Sequence, residues 1–129
     1  MPHAPAFTAL LFGLRGCLVD FGGRCLEAPR ETPVQPTPGA LDVLAWLHRH
    51  QVPCAWLDDV APEQGQRLSH ALPDWLRATR HGDAKPWPAP DACWNALMHI
   101  EAGRLDGCVL ISGEPRLLQA GLNAGLWTI

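Results

Sequence analysis

The sequence of 129 residues predicts an α/β fold, in which a mainly parallel five-stranded sheet lies between two layers of helices. Three observations predict it. Short, nearly continuous apolar runs recur along the chain, as expected for strands buried on both faces. Segments with apolar residues at helical spacing alternate with these runs. No internal repeat or low-complexity tract interrupts the alternation, so residues 1–129 fit a single domain.

Each strand is predicted from an apolar run bounded by glycine, proline or aspartate. Pro53 weakens the start of the second strand, because proline cannot donate to a sheet ladder. The stretch from Ala28 to Gly39 contains four prolines, which exclude a helix or a central strand and predict an extended surface connection. The segment before it, with Gly16, Gly22 and Gly23, is predicted to be a loop or turn. The predicted strands are Phe7–Leu14, Val52–Leu57, Leu76–Arg80, Cys108–Ser112 and Leu126–Ile129.

Each helix is predicted from amphipathic spacing and from the residues at its ends. Thr37 suits the N-cap of the first helix, with Pro38 at its first helical position. His48 and His50 flank Arg49 at its last turn, where cations suit the helix dipole. Gly125 ends the last helix. The predicted helices are Ala40–His50, Pro62–Leu72, Asp91–Ala102 and Pro115–Ala124.

Right-handed crossovers between these elements give a three-layer, Rossmann-like α/β/α sandwich. In such sheets, ligands bind beyond the carboxyl ends of the strands. The residues expected at that edge are those that follow each strand. They lie in Gly13–Cys17, Leu57–Asp59, the loop with Lys85, and Ser112–Arg116.

Composition excludes several classes of function. A net charge of -3 without a basic block argues against a nucleic-acid partner. No apolar run approaches the roughly 20 residues that span a bilayer, and the first residues lack a basic signal-peptide region. The expected location is therefore the cytoplasm. The five cysteines form no C-x-x-C pair and are expected to be reduced and mostly buried.

Three segments carry a family resemblance. Leu10–Gly23 (LLFGLRGCLVDFGG) is an apolar strand followed by a loop at the place of D-x-D-G-[TV]. Ala84–Leu97 (AKPWPAPDACWNAL) is similar to the lysine loop G-K-P-x-P-x-x-[FY]. Cys108–Ile129 (CVLISGEPRLLQAGLNAGLWTI) is similar to V-G-D-x-x-x-D-[IL]-x-A-G-x-x-A-G. Together they resemble the haloacid dehalogenase (HAD)-like hydrolase superfamily, and LNAGLWT with VDFGG favours its phosphonoacetaldehyde hydrolase-like branch.

The resemblance implies a catalytic first motif that this sequence lacks. The family's nucleophilic aspartate falls at Gly13, and its general acid/base aspartate falls at Arg15. The threonine that follows the glycine of the family's first motif falls at Cys17. Glycine has no side chain with which to attack a phosphoryl group. A guanidinium cannot coordinate magnesium, which needs oxygen ligands.

The remaining family positions are only partly filled. The family's phosphate-binding Ser or Thr falls at Asp58, within one residue, and its lysine is retained as Lys85. Its magnesium-binding aspartates fall at Gly113 and Leu117. Glu114 could substitute for the first of them, but no second acid follows at the family spacing. No metal or other cofactor is therefore expected, and Mg²⁺ enters only if the chain is a divergent enzyme.

Two interpretations of the remaining charges stay open. Arg15 and Lys85 could form an anion-binding site for a small anion such as phosphate. Alternatively, Arg15 and Asp58 form an ion pair that fills the space of the lost metal.

Both interpretations predict a catalytically inactive pseudoenzyme. Its role would be to bind an anionic ligand or a partner, or to serve as a purely structural or dimerising module. The alternative is a divergent phosphohydrolase in which Asp20, Asp58 or Cys17 replaces the nucleophile. For Cys17, a nearby Arg15 would lower the pKa of the thiol.

The sequence leaves no room for the cap domain of active relatives. Active relatives usually insert a helical cap after the first motif, but Gly22–Gly39 is short and proline-rich, so a capless domain is predicted.

Trp56 and Trp127 are expected in the core, and Trp87 is expected to be exposed at the mouth of the site. Because exposed tryptophans mark interfaces, a homo-oligomer or a protein partner is compatible with the sequence.

Overall fold

The computed structural model describes residues 9–14, 17–20, 35–58, 70, 72–79, 85–102 and 105–129. Within them the chain forms seven strands and three helices. In chain order these are β1 (Ala9–Gly13), β2 (Val19–Asp20), β3 (Gln35–Pro36), α1 (Ala40–Arg49), β4 (Cys54–Leu57), β5 (Arg77–Thr79), α2 (Asp91–His99), β6 (Cys108–Ile111), α3 (Pro115–Ala124) and β7 (Trp127–Thr128).

The central sheet has five strands in the order β5-β4-β1-β6-β7. Every neighbouring pair is parallel. The predicted five-stranded parallel sheet is therefore confirmed. The predicted helix Pro62–Leu72 lies outside the described residues, apart from His70 and Leu72.

The sheet is covered on both faces, as a three-layer sandwich requires. On β1, Ala9 and Leu11 pack into one apolar cluster with α2 and α3. Leu10 and Phe12 pack into a second cluster, which contains Leu44 of α1. All five residues of β1 are buried. Successive strand side chains point to opposite faces, so a strand between two helical layers must be apolar at every position.

The ends of the helices differ from prediction by more than one residue in two places. The helix predicted as Asp91–Ala102 ends at His99, and the other difference is at the start of α1. The first helix begins after Gly39, which has φ +84, and no side chain caps it. Thr37 instead accepts a backbone hydrogen bond from Ala40 N at 2.9 Å, so the predicted Thr37 cap and Pro38 start are wrong. The turn that closes on Thr37 moves the helix start two residues along the chain. The last helix begins at Pro115 and ends before Gly125, as predicted.

The segment with β2 and β3 was expected to be loop and extended connection. These strands instead pair antiparallel in a small separate sheet, with Val19 opposite Pro36. The pairing tolerates Pro36 because a two-stranded ribbon leaves one side of each strand without a ladder partner. A hydrogen bond from Thr37 N to Leu18 O, 2.8 Å long, also holds the two strands together.

The tryptophans in strands have opposite environments. Trp56 is 7% exposed on β4, as predicted. Trp127 is 72% exposed, so its predicted burial is wrong. β7 is the edge strand of the sheet, and Leu126 immediately before it is buried. Because strand side chains alternate, burial of Leu126 turns Trp127 outward. Of the described helices, none is long and apolar enough to cross a membrane.

Candidate functional site

The parallel strands bring the predicted site residues to one edge of the sheet. Gly13 at the end of β1 is paired with Leu57 of β4, and Phe12 is paired with Ile111 of β6. The residues that follow these strands therefore meet at their carboxyl ends, where α/β sheets place their ligands. One small cavity lies there. It is lined by Gly13, Leu14, Leu57, Asp58, Trp87, Ser112, Glu114 and Leu117.

The cavity is almost completely filled. Its volume is about 10 Å³, which is roughly the space of one water molecule. Leu117 is 1% exposed and Trp87 is 5% exposed, and both contribute to the apolar cluster beneath the sheet. A phosphoryl group does not fit between the residues that line this space.

Trp87 does not lie at the mouth of an open site, so that prediction is wrong. Its loop is held against α3 by two side chains. Arg116 Nη2 donates to Trp87 O at 2.6 Å, and Asn123 Nδ2 donates to Pro88 O at 2.9 Å. These bonds hold the loop backbone on the helix and accompany burial of the indole over the edge of the sheet.

Gly13 stands where the family resemblance places the nucleophile. A Cβ atom at this position would lie 2.8 Å from Ser112 Oγ and 3.2 Å from Ser112 Cβ. It would also lie 3.4 Å from Leu117 Cδ2. Optimal carbon contacts are about 3.5–4.0 Å, so these neighbours occupy the space of a side chain. The position lacks a nucleophile, and a side chain here would require Ser112 to shift.

Two carboxylates line this cavity. Asp58 is 4% exposed and is engaged by at least one polar or charged neighbour. Glu114 is the N-cap of α3, where its Oε1 accepts from Arg116 N at 3.2 Å. Glu114 N in turn donates to Ser112 Oγ at 2.9 Å. Glu114 therefore satisfies backbone donors at a helix N-terminus, which is a structural use of the carboxylate.

The lining residues do not fit a magnesium ion. Mg²⁺ takes six oxygen ligands in near-octahedral geometry and usually keeps several waters. Two carboxylates around a space of about 10 Å³ cannot accommodate that shell. The family's second metal position, Leu117, is a buried apolar side chain, and Gly113 is exposed. Elsewhere in the described parts of the chain, no three His, Cys, Asp or Glu side chains are grouped to hold a metal.

The predicted pairing of two cations at this edge is not tested by the described residues. Lys85 is exposed and is absent from the lining of the cavity. Arg15 lies outside the described residues, and so does the predicted Arg15–Asp58 pair. The anion-binding site therefore stays a prediction.

The substitute nucleophile Cys17 has an unfavourable environment. Burial raises the pKa of its thiol to about 11. Its Sγ lies 3.5 Å from Ile111 O. The expected lowering of its pKa is therefore wrong in direction, because desolvation of the thiolate outweighs the other influences on the group. Asp20, the other proposed substitute, lies in β2. Cys54, Cys93 and Cys108 are buried, as predicted, while Cys25 lies outside the described residues.

Sequence reasoning missed the residues that close the site. Ser112 was read as the end of a strand, and Leu117 was read only as a lost metal ligand. Neither residue carries a motif for this packing role. The one available signal was a glycine at Gly13 within a run of large apolar residues, since a glycine there often marks a close approach by another group.

Comparisons with solved structures identify the fold. One crystal structure matches with a TM-score of 0.83 at 50% sequence identity, over 95% of this chain and 64% of the matched chain. The chain thus spans less than two thirds of that protein. A HAD family hydrolase from Deinococcus radiodurans, with bound phosphate and sodium, matches with a TM-score of 0.73 at 19% identity, over 97% of this chain and 80% of the other.

A phosphonoacetaldehyde hydrolase-like protein from Oleispira antarctica matches with a TM-score of 0.62 at 22% identity, over 73% of this chain and 36% of the other. No protein-family model and no curated protein matches the chain. The structural likenesses show that the chain has the HAD-like fold that its sequence motifs predict.

Proposed function

We propose that this chain is a catalytically inactive member of the HAD-like superfamily, a capless single domain whose ancestral active-site edge has become packed core. The observation that carries the proposal is the closed space at Gly13. Ser112 Oγ lies 2.8 Å from the place where the Cβ of a nucleophilic residue would be. An enzyme that had lost only its nucleophile would retain a hollow for the phosphoryl group.

The other lost positions support the same proposal. Leu117 and Trp87 fill the edge with apolar side chains, so the loss of the metal ligands coincides with a gain of packing. Glu114 serves as a helix cap. Burial keeps the thiol of Cys17 protonated at neutral pH by raising its pKa to about 11. Glu114 thus has a structural use, and Cys17 lacks the thiolate form that a nucleophile needs.

The proposed role is binding of a protein partner or of a small anionic ligand in the cytoplasm, without metal or cofactor. Anion binding would depend on Lys85, which is exposed, together with Arg15. Calorimetric titration with inorganic phosphate tests this part of the proposal. Binding that weakens in Lys85→Ala supports it, and absence of heat at millimolar phosphate contradicts it.

The test of inactivity is an assay of the purified chain with p-nitrophenyl phosphate and with phosphonoacetaldehyde, each with magnesium. We expect no turnover above that of a matched blank. Turnover that disappears in Asp58→Ala or Cys17→Ala would contradict the proposal. Asp74→Ala is the control, because Asp74 is an exposed carboxylate just before β5, at the amino ends of the parallel strands and so at the opposite edge of the sheet.

One observation favours the alternative, a divergent phosphohydrolase. Asp58 and Glu114 line the same cavity as Gly13, so two carboxylates are available at the family's site. If these residues bind metal after a rearrangement of the edge, turnover should require magnesium and should be lost in both Asp58→Asn and Glu114→Gln. Retention of turnover in either variant would exclude this alternative.

A further inference from the structure

A second and much larger cleft lies at the opposite edge of the sheet. It is formed where β4 begins and where α1 and α2 end, and its volume is about 380 Å³. The space beside Gly13 measures about 10 Å³. Pockets for small molecules usually have volumes of about 300–1,000 Å³. This cleft has that size, and the family resemblance assigns nothing to it.

Backbone strain is concentrated at this cleft. Gln51 has φ +56 and Glu101 has φ +58, and both side chains line the cleft. They are the non-glycine residues with positive φ among those that the structure describes. Each follows the end of a helix, a position that commonly takes glycine. Helix α3 does end on a glycine, Gly125, with φ +90.

The two strained positions therefore keep polar side chains where glycine would be easier to accommodate. Strain of this kind, when it clusters around one cavity, points to a requirement for the side chains themselves. The same feature, a polar residue with positive φ, follows the ends of two helices that are distant in sequence. A packing explanation limited to one helix does not account for both.

The lining of the cleft selects a chemical class of ligand. The carboxyl ends of α1 and α2 carry partial negative charge, and Glu101 adds a carboxylate. His48 and Trp75 form a stacked pair with ring centroids 4.4 Å apart and planes inclined by 18°. Both rings line the cleft, and Val52 and Ile100 contribute an apolar part of its wall. A second histidine, His99, also lines the cleft. The cleft thus joins a flat aromatic surface to one carboxylate and to the carbonyl ends of two helices.

We propose that this cleft binds a small organic cation that carries a flat aromatic ring. The ring stacks on the His48–Trp75 pair, and the cationic group lies near Glu101 and the helix ends. Offset stacking of aromatic rings is favourable beyond the area that it buries. The proposal is independent of the inactivity proposed above, because the two sites share no lining residue.

The test uses three probes with the same ring and different charge: 1-naphthylmethylamine, 1-naphthalenemethanol and 1-naphthoate. Backbone amide shifts of the full chain are followed by NMR during each titration. We expect the amine to shift the amides of Gln51 and Glu101. Since an exposed ion pair contributes up to about 1 kcal/mol, the amine should bind about fivefold more tightly than the alcohol. The acid should bind most weakly.

Variants separate the parts of the site. Glu101→Gln keeps the size of the side chain and should reduce the affinity for the amine to that for the alcohol. His48→Ala should weaken all three probes, while His48→Phe, which keeps a flat ring, should retain their binding. His50→Ala is the matched control. His50 lies at the end of the same helix and stacks on Trp46, with ring centroids 3.9 Å apart, and neither ring lines the cleft.

Three results would overturn the proposal. The first is that no probe at millimolar concentration shifts amides around the cleft. The second is that the acid binds as tightly as the amine. The third is that His50→Ala weakens binding as much as His48→Ala in folded variants, as judged by their thermal unfolding.

Discussion

Introducing a side chain at Gly13 tests the closed site most directly. In Gly13→Ala, the new Cβ would lie 2.8 Å from Ser112 Oγ, 3.2 Å from Ser112 Cβ and 3.4 Å from Leu117 Cδ2. Ser112 is 9% exposed and Leu117 is 1% exposed, so neither side chain can turn into solvent without disturbing the core. Such overpacking costs about 1–3 kcal/mol.

Gly13→Asp should lower the free energy of unfolding more than Gly13→Ala does, because it adds a carboxylate to an edge that already contains Asp58 and Glu114. Burial of a third carboxylate beside these two acids disfavours its ionised form. We therefore expect a total loss of more than about 3 kcal/mol and no phosphatase activity. Urea denaturation of both variants measures the free energy of unfolding.

A double-mutant cycle attributes the loss to the contact with Ser112. Ser112→Gly removes the two closest atoms, and it should itself cost about 1 kcal/mol through the lost bond to Glu114 N. Gly13→Ala should cost less in that background, with a coupling free energy of about 0.5–3 kcal/mol. If Gly13→Ala leaves the free energy of unfolding unchanged, or if the two changes are additive, the closed-site argument is wrong.

Three further predictions concern other parts of the molecule. Trp87→Ala should lower the free energy of unfolding by about 3–5 kcal/mol in urea denaturation, because the indole fills the space at the sheet edge. Glu101→Gly should raise it by about 1 kcal/mol by relieving φ +58, and Gly125→Ala, at φ +90, should lower it by a similar amount. Burial raises the pKa of Cys17 to about 11 and of Cys93 to about 12, against 9.0 for an unburied thiol. The contribution of these thiols to the free energy of unfolding should therefore be constant below about pH 8.5 and should fall as the pH rises through 9 to 12.

Controls for these predictions follow from the same structure. A Trp94→Ala variant removes an indole that is 42% exposed and should cost less than Trp87→Ala. A gain in stability from Gly125→Ala would contradict the strain argument for Glu101. The alkaline loss should become smaller in Cys93→Ala, and an unchanged pH profile in that variant would show that thiol burial is not its cause.

Much of the fold could be predicted from the sequence. The strands β1, β4, β5, β6 and β7 lie within the predicted segments Phe7–Leu14, Val52–Leu57, Leu76–Arg80, Cys108–Ser112 and Leu126–Ile129, and the helix Pro115–Ala124 has its predicted bounds. These elements depend on local properties, namely continuous apolar runs and residues that end a helix. The parallel arrangement follows from their order along the chain.

The start of the first helix was less predictable. Thr37 and Pro38 have the residue types of a helix start, but the backbone of Thr37 forms a turn with Ala40 and bonds to Leu18 in the small sheet. A contact between distant segments thus outweighed a local preference. The short strands β2 and β3 depend on the same contact, and their residues carry too little pattern to reveal it.

The sequence by itself determined that Gly13 and Leu117 stand where the family resemblance places a nucleophile and a metal ligand, and neither side chain can take that role. Only the tertiary structure decided what replaced them. Whether the space beside Gly13 is empty or filled depends on Ser112 and Trp87, which reach it from other strands and loops. The cleft at the opposite edge likewise exists only because two helices end beside the start of β4. Packing between distant segments sets the volume, desolvation and strain of both places, and none of these is a local property of the chain.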